Sequence, residues 1–235
     1  MKKVAIVVAL QQEFELVANI LTNPIKGTIN GAQTLEGKLS GHEIILLQSG
    51  IGKVNAGIQV TELLRTFHPD FLINSGVAGG IGQHLKVADI VVSTQCCYHD
   101  VWCGEGEWGQ VQGFPLFFPS SPELVEKLRQ IEGQREKEGT TNKIHFGLIC
   151  TGDQFISDET QLKAIKKRFP EGLAVDMESC AMSHACYIRK TPFLSLRIIS
   201  DTPGMHSDNT SQYFDFFGEA PKKTFAIIQQ LIQTL

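Results

Sequence analysis

Long apolar runs are scarce in this chain of 235 residues. The apolar run near the N-terminus extends only from Val4 to Leu10, and no stretch is long enough to cross a bilayer as a helix. Two lysines precede that run, but no small-residue cleavage site follows it. A buried first strand is therefore a better interpretation than a secretory signal, and no membrane partner is expected.

Positive charge is also sparse, since the formal net charge is −4. No run of Lys or Arg could neutralise a line of phosphates, as nucleic-acid binding requires. The nearest basic cluster, KAIKKRF at residues 163–169, has the spacing of a solvated helix face. Nucleic acid is therefore not an expected partner.

None of the six cysteines belongs to a Cys-x-x-Cys pair, and most lie in apolar surroundings. This usage is typical of a reduced cytoplasmic protein. His99 and Cys103 could share a metal ion, but no second pair completes a zinc site, so an ordinary polar loop is favoured. We expect neither a metal nor an organic cofactor.

Short β-branched runs alternate with helical patterns along the chain. The runs predict strands at residues 4–10, 43–50, 70–76, 89–94, 144–152, 173–177 and 193–200. Helical spacing occurs at residues 11–21, 53–67, 122–133, 159–169, 178–188 and 220–235. This alternation predicts an α/β fold with a mixed, largely parallel central sheet flanked by helices on both faces.

The segment 34–47 instead predicts a hairpin that turns at Ser40 and Gly41, which makes the sheet mixed. Because no internal repeat and no low-complexity linker interrupts the pattern, we expect one domain over residues 1–235. The least regular part is residues 100–121, where an aromatic-rich loop is expected to pack against a ligand or a partner subunit.

Carboxylates follow several of the predicted strands. Glu13 comes after the first strand, Glu178 after the strand at 173–177, and Asp201 after the strand at 193–200. Ligands of open α/β sheets bind beyond the carboxyl ends of the strands, so these groups are expected at one pocket. Each also has a structural interpretation, because Glu178 suits a first helical turn, Asp201 an N-cap and Glu13 a solvated helix face.

Two glycine-rich turns, GIGKVN at 50–55 and SGVAGG at 75–80, follow predicted strands at the same edge. The first lacks the third glycine of the dinucleotide fingerprint, and neither is a phosphate loop. Together they allow a ligand to approach the backbone closely. The adjacent residues His206, Ser207 and Asp208 are rejected as a hydrolase triad, because neighbouring loop residues cannot easily take the three orientations required.

Seven fragments, in order, resemble the 5'-methylthioadenosine/S-adenosylhomocysteine nucleosidases of the nucleoside phosphorylase superfamily. They are SGIGKVNAG (49–57), NSGVAGG (74–80), LKVADIVVS (85–93), YHD (98–100), TGDQFI (151–156), FPEGLAVDMES (169–179) and RIISD (197–201). The resemblance implies a nucleoside phosphorylase-like fold and a hydrolase that cleaves the N-glycosidic bond of methylthioadenosine and adenosylhomocysteine. The products would be adenine and a 5-thio-substituted ribose.

The resemblance also implies residue roles. Glu13 is similar to the general base that activates water, and Asp201 to the general acid that protonates adenine. The expected substrate-binding residues are Ile51 and Gly79 near the ribose and water, Phe155 and Ile156 at the base, Met177 and Glu178 at the ribose, Arg197 beside Glu13, and Ser200 beside Asp201. Glycosidic cleavage suits paired carboxyl groups, because one must hold a proton while others stabilise positive charge on the sugar.

Two features depart from the family pattern. Val77 stands where a small hydroxyl residue is expected, and the loop 101–114 is shorter than is usual in the family. In the family this loop covers the 5'-substituent in a neighbouring subunit, which implies a homodimer in which Trp102, Trp108, Phe114 or Phe117 takes that part. The preferred 5'-substituent stays open.

Three other functions compete with this one. A purine nucleoside phosphorylase of the same fold would need several cations around phosphate, and Arg197 is the only obvious one here. The second is a nucleosidase that acts on a different adenine or purine nucleoside, and the third is a relative that binds nucleosides without catalysis. Glu13, Glu178 and Asp201 argue against the binding relative.

Overall fold

A computed structural model describes residues 1–140, 142–203 and 220–235. The segment His206 to Asp208 lies outside them. Ten strands are described: β1 (Lys3–Val8), β2 (Thr22–Ile29), β3 (Ala32–Leu39), β4 (His42–Gln48), β5 (Phe71–Gly80), β6 (Ile90–Tyr98), β7 (Phe118–Pro119), β8 (Ile144–Thr151), β9 (Gly172–Asp176) and β10 (Phe193–Asp201). The described helices are α1 (Gln11–Ala18), α2 (Lys53–Phe67), α3 (Pro122–Lys137), α4 (Glu159–Arg168), α5 (Ser179–Arg189) and α6 (Ala220–Gln233).

The strands form one mixed sheet, in the order β10-β6-β8-β9-β5-β1-β4-β3-β2, with β7 paired to β6. Strand β1 pairs in parallel with both β4 and β5, and β5 pairs in parallel with β10. Strands β6, β8 and β9 also pair in parallel, whereas β10–β6 and β5–β9 are antiparallel. The carboxyl ends of β1, β5, β8, β9 and β10 consequently come close together.

Helices cover both faces of the sheet, as predicted. On β1, Val4, Ile6 and Val8 pack into a core with α1, α3 and α6, while Ala5 and Val7 pack into a second core with α2 and α5. This alternation follows from the two-residue repeat of a strand buried on both sides. Helix α4 belongs to a third apolar cluster, around Ile165 and Phe169.

The predicted hairpin is confirmed: β3 and β4 pair antiparallel and turn at Ser40 and Gly41, which have φ angles of 51° and 83°. Strand β2 was not predicted, because Asn23 and Pro24 interrupt its pattern and all its residues except Ile29 are exposed. An edge strand tolerates both features, since one side of its backbone needs no partner. None of the described helices combines the length and the apolar character needed to cross a membrane.

Candidate active site

A cavity of about 360 Å³ opens at the carboxyl ends of the central strands. Its volume lies in the range of small-ligand sites. It is lined by Ala9, Leu10, Glu13, Ile51, Val77, Ala78, Gly79, Gln154, Phe155, Ile156, Val175, Asp176, Met177, Glu178, Arg197, Ser200 and Asp201. All ten residues that the sequence analysis assigned to the site are in this set, so the fold brings them to one place.

Glu13 lies in the first turn of α1, directly after β1, and is 1% exposed. Its Oε2 accepts hydrogen bonds from the N–H groups of Ala9 at 3.1 Å and Leu10 at 3.0 Å. Burial raises the pKa of this carboxyl, although Arg197 and the backbone N–H groups oppose the increase. The side chain is therefore held rigidly and is a stronger base than a solvated glutamate.

Arg197, on β10, is a fully buried cation that lines the cavity. Its Nη2 lies 2.7 Å from Oδ2 of Asp176 and 3.5 Å from Oε2 of Glu178. Its Nε donates to Ser179 at 3.1 Å, and Nη1 lies 3.4 Å from the carbonyl oxygen of Val77. Burial opposes the charge, but the three nearby carboxylates of Asp176, Glu178 and Glu13 raise the pKa of the guanidinium.

Gly76 makes room for Arg197 and Glu13 to approach each other. The two strands pair so that Arg197 is level with Gly76. A Cβ at Gly76 would lie 2.4 Å from Nη1 of Arg197 and 3.0 Å from Oε1 of Glu13. No direct ion pair of 4.0 Å or less joins these two described side chains, although both line the cavity.

Glu178 lies at the N-terminus of α5, and its Oε1 accepts the N–H of Gly52 at 3.0 Å. Burial raises its pKa to about 7, with the neighbouring Asp176 adding to the increase and Arg197 opposing it. Asp176 is held by Arg197, by the hydroxyl of Thr151 at 2.6 Å, and by Ser179. The single guanidinium of Arg197 thus faces three carboxyl groups, those of Asp176, Glu178 and Glu13.

Asp201 ends β10 and is 2% exposed. Its Oδ1 accepts the hydroxyl of Ser200 at 2.7 Å, whereas Oδ2 has no hydrogen-bond partner among the described residues. Burial raises the pKa of this carboxyl, and the bond from Ser200 only partly opposes that. An aspartic side chain in this setting keeps its proton to higher pH than a solvated one does.

Phe155, Met177 and Ile51 contribute apolar side chains to the lining of the cavity. Ile51 and Phe155 are each about half exposed, at 50% and 45%, so their side chains present apolar surface to an entering ligand. Gly79 lies in β5, where a Cβ would be only 3.0 Å from Pro203 and 3.1 Å from Val175. A larger residue there would require Pro203 or Val175 to move.

The sequence analysis did not predict the polar network that holds Arg197. Asn74 is its centre: Oδ1 accepts from Arg197, Ser179 and Ser195, and Nδ2 donates to the Val7 carbonyl at 3.0 Å. Asp176 was not assigned to the site either, although it lines the cavity. The position of Asp176 at the end of an apolar strand, two residues before Glu178, was the signal available.

The loop 101–114 packs on the protein through its aromatic side chains. Trp108 donates its indole N–H to the His99 carbonyl at 2.8 Å and stacks against Trp102. Phe114 packs edge-on against His184, while Trp102 is 50% exposed. Within the described residues, no group of three or more His, Cys, Asp or Glu side chains is arranged to hold a metal ion.

Comparison with known proteins agrees with this fold. Residues 3–233 match the Phosphorylase superfamily, which defines the class of the protein. A 5'-methylthioadenosine/S-adenosylhomocysteine nucleosidase of Actinobacillus succinogenes is 43% identical over 204 residues, which cover 85% of each chain. One from Haemophilus influenzae is 38% identical over 235 residues, covering 99% of this chain and 100% of its relative.

Solved structures agree as well. The nucleosidase of Neisseria meningitidis in complex with methylthio-immucillin-A superposes with a TM-score of 0.93, at 32% identity over the whole of both chains. That of Colwellia psychrerythraea in complex with adenine gives 0.93 at 31% identity, over 100% of this chain and 96% of the other. The chain belongs to the 5'-methylthioadenosine/S-adenosylhomocysteine nucleosidase family within that superfamily. The resemblance found in the sequence is thereby confirmed.

Proposed function

We propose that the protein hydrolyses the N-glycosidic bond of 5'-methylthioadenosine and S-adenosylhomocysteine, releasing adenine and the 5-thio-substituted ribose. Its relatives carry this activity in their names, and two structural neighbours bind adenine or a methylthio nucleoside analogue. In this proposal one domain, residues 1–235, performs the reaction in the cytoplasm without a cofactor. The six cysteines are all free, which suits a reducing compartment.

The proposed reaction uses the carboxyl groups that line the cavity. Glu13 takes a proton from a water molecule that lies between it and Arg197, and the water oxygen bonds to the anomeric carbon. The bond from that carbon to adenine breaks, and its electron pair moves to the base. Asp201 donates its proton to adenine N7, so the base leaves neutral. Glu178 accepts hydrogen bonds from the ribose hydroxyls and, with Asp176, favours positive charge on the sugar.

Other residues bind the substrate. In this proposal Phe155 stacks on adenine, and the Phe155–Ile156 backbone reads the edge of the base. Ile51, Gly79 and Met177 pack around the ribose. Ser200 orients Asp201 through the 2.7 Å hydrogen bond to Oδ1, which leaves Oδ2 directed at the ligand. The observation that carries the proposal is this unpartnered, buried oxygen in the same cavity as the anchored Glu13.

Water, and not phosphate, is the nucleophile in this proposal. Arg197 is the only cation among the described residues lining the cavity, and it is already paired with Asp176 and Glu178. A phosphate dianion beside Glu13 and these carboxylates would be repelled. A phosphorylase of this fold is consequently disfavoured.

The test is a panel of adenine and other purine nucleosides assayed for free base, with and without phosphate. We expect adenine release from methylthioadenosine and adenosylhomocysteine at the same rate in both buffers. Strict dependence on added phosphate would show a phosphorylase instead. Turnover confined to another purine nucleoside would show a sister nucleosidase, and the absence of any base release would favour a binding protein.

The protein also acts as a homodimer in our proposal. Val54 and Ile58 lie one turn apart on α2 and are 69% and 54% exposed, and Ile51, which lines the cavity, precedes them. An open groove between α2 and α5 continues this apolar surface. A second copy would cover it and bring its own loop 101–114, with the exposed Trp102, close to the cavity.

Light scattering at micromolar concentration is expected to give twice the mass of one chain. Ile58→Glu should yield monomers, because it places a charge in the proposed interface. The matched control Ile25→Glu changes an isoleucine that is 69% exposed on β2, and it should stay dimeric. A monomeric wild-type protein would contradict this proposal.

A further inference from the structure

The segment Tyr98-His99-Asp100 lies at the end of β6 but does not line the catalytic cavity. It contacts the two segments that do. The His99 ring lies against Gly152, where a Cβ would be only 2.3 Å from the imidazole. The N–H of His99 donates to the Thr151 carbonyl at 2.9 Å. The strand end therefore supports the start of the segment 151–156, which carries Phe155.

Asp100 connects this segment to the turn before α2. Its two oxygens lie 2.8 Å and 2.7 Å from Nζ of Lys53, and Oδ2 also accepts the N–H of Asp153 at 2.9 Å. Asp153 in turn accepts the N–H of Lys53 at 2.8 Å through Oδ1. Asp100, Lys53 and Asp153 thus form a closed network between loops that follow three different strands, β6, β4 and β8.

Without this network the positive charge of Lys53 would be in an electrostatically unfavourable position. It is the first residue of α2, where the positive end of the helix dipole disfavours a cation. Asp100 and Asp153 supply the negative charge that offsets this, and the Tyr98 ring lies 5.5 Å from the ammonium. The Lys53–Asp100 pair is only about one-fifth exposed, so solvent screens it less than a surface pair.

The network holds the turn whose backbone reaches Glu178. Gly50 and Gly52 have φ angles of 79° and 91°, so this turn has an unusual backbone shape that neighbouring contacts must maintain. The N–H of Gly52 donates to Oε1 of Glu178 at 3.0 Å, one residue before Lys53. Movement of Lys53 would therefore loosen this hydrogen bond, and movement of Asp153 would displace Phe155 two residues later.

We propose that Asp100 is a positioning residue that, through Lys53 and Asp153, sets the ribose-contacting turn and the base-stacking segment relative to each other. The inference rests on the proposed nucleosidase function. Asp100 does not line the catalytic cavity, and the proposed catalytic residues Glu13 and Asp201 lie on other elements, α1 and β10. Its loss should consequently weaken binding of base and ribose more than it slows bond cleavage.

The test is Asp100→Asn in the full chain. The amide keeps the shape and an acceptor but removes the charge that holds Lys53. We expect KM for methylthioadenosine to rise ~10-fold while kcat changes less than ~3-fold. The dissociation constant for adenine, measured by calorimetry, should rise by a similar factor. Adenine binding needs no turnover, so a failure of the hydrolase proposal would leave this inference testable.

Glu132→Gln is the matched control, because Glu132 is a mostly buried carboxylate paired with Arg135 at 3.1 Å on α3, outside the cavity. It should lower the melting temperature without changing KM or adenine affinity. Lys53→Gln is a second variant, which removes the cation but keeps the N–H that Asp153 accepts. The inference is overturned if both network variants keep the wild-type KM and adenine affinity, or if they lower kcat alone.

Discussion

Replacing Asp201 by Asn should lower kcat for methylthioadenosine by about three orders of magnitude, within the range usual for general acid catalysis. Asn preserves the shape of the side chain and can still accept the Ser200 hydroxyl, but it has no acidic proton to give to adenine N7. Adenine would then have to leave as an anion. A thousandfold loss corresponds to about 4 kcal/mol of transition-state stabilisation.

Substrate affinity should change little in this variant, because the proposed stacking on Phe155 and the proposed ribose contacts do not involve the lost proton. Calorimetry with a non-hydrolysable methylthio nucleoside measures that directly. Asp89→Asn is a suitable control: Asp89 is also a buried aspartate, paired with His145 at 3.1 Å and away from the cavity. Wild-type turnover in the Asp201 variant would remove Asp201 from the mechanism.

The pH profile gives a second readout of Asp201. In the proposed mechanism Asp201 acts only while it is protonated, so kcat/KM should fall as pH rises through its pKa. Because burial raises that pKa, the protonated form persists to higher pH than for a solvated aspartate. The residual kcat/KM of Asp201→Asn should therefore no longer decrease as pH rises through the pKa of Asp201.

The arrangement of strands and helices was largely predictable because β-branched runs and helical periodicity are local properties of the sequence. Both faces of β1 are buried, and its unbroken apolar run indicated that directly. The edge strand β2 was missed because exposed strands lack this signal. Its pairing with β3 depends on contacts between distant residues that the pattern of either segment does not reveal.

Only the part of the site that lies at the ends of strands was predictable from the sequence. The carboxylates Glu13, Glu178 and Asp201 follow strands, so their convergence could be inferred from topology. The network around Arg197 depends on register instead: Ser195 is level with Asn74, and Arg197 with Gly76, across β10 and β5. A shift of one residue would turn these side chains to the other face, and the local sequence pattern does not specify which residues pair.

Val77 illustrates the same limit. The sequence alone suggested that a polar contact is missing where a small hydroxyl residue was expected. In the structure Val77 lines the cavity, while its carbonyl oxygen lies 3.4 Å from Nη1 of Arg197. The main chain therefore supplies a polar contact at this position that any residue type could make.

Glu13→Gln is expected to lower kcat by two to four orders of magnitude, roughly the full contribution of a general base. Gln can keep one acceptor for the N–H groups of Ala9 and Leu10, so the start of α1 should stay folded. Gln cannot take up a proton from the water that we propose lies beside Arg197. Single-turnover measurement of adenine release separates this chemical step from product release.

Glu13 should govern the acidic side of the pH profile of kcat/KM, whereas Asp201 governs the alkaline side. Glu13 must be ionised to act, so wild-type kcat/KM should fall as pH decreases through its raised pKa, and the variant should lose this acidic limb. Glu15→Gln is the matched control, on the same helix but exposed and outside the cavity. It should turn over at the wild-type rate. If Glu13→Gln stayed within tenfold of wild type, Arg197 and the carboxylates beside it would suffice to orient the water, and the nucleophile would need no base in the protein.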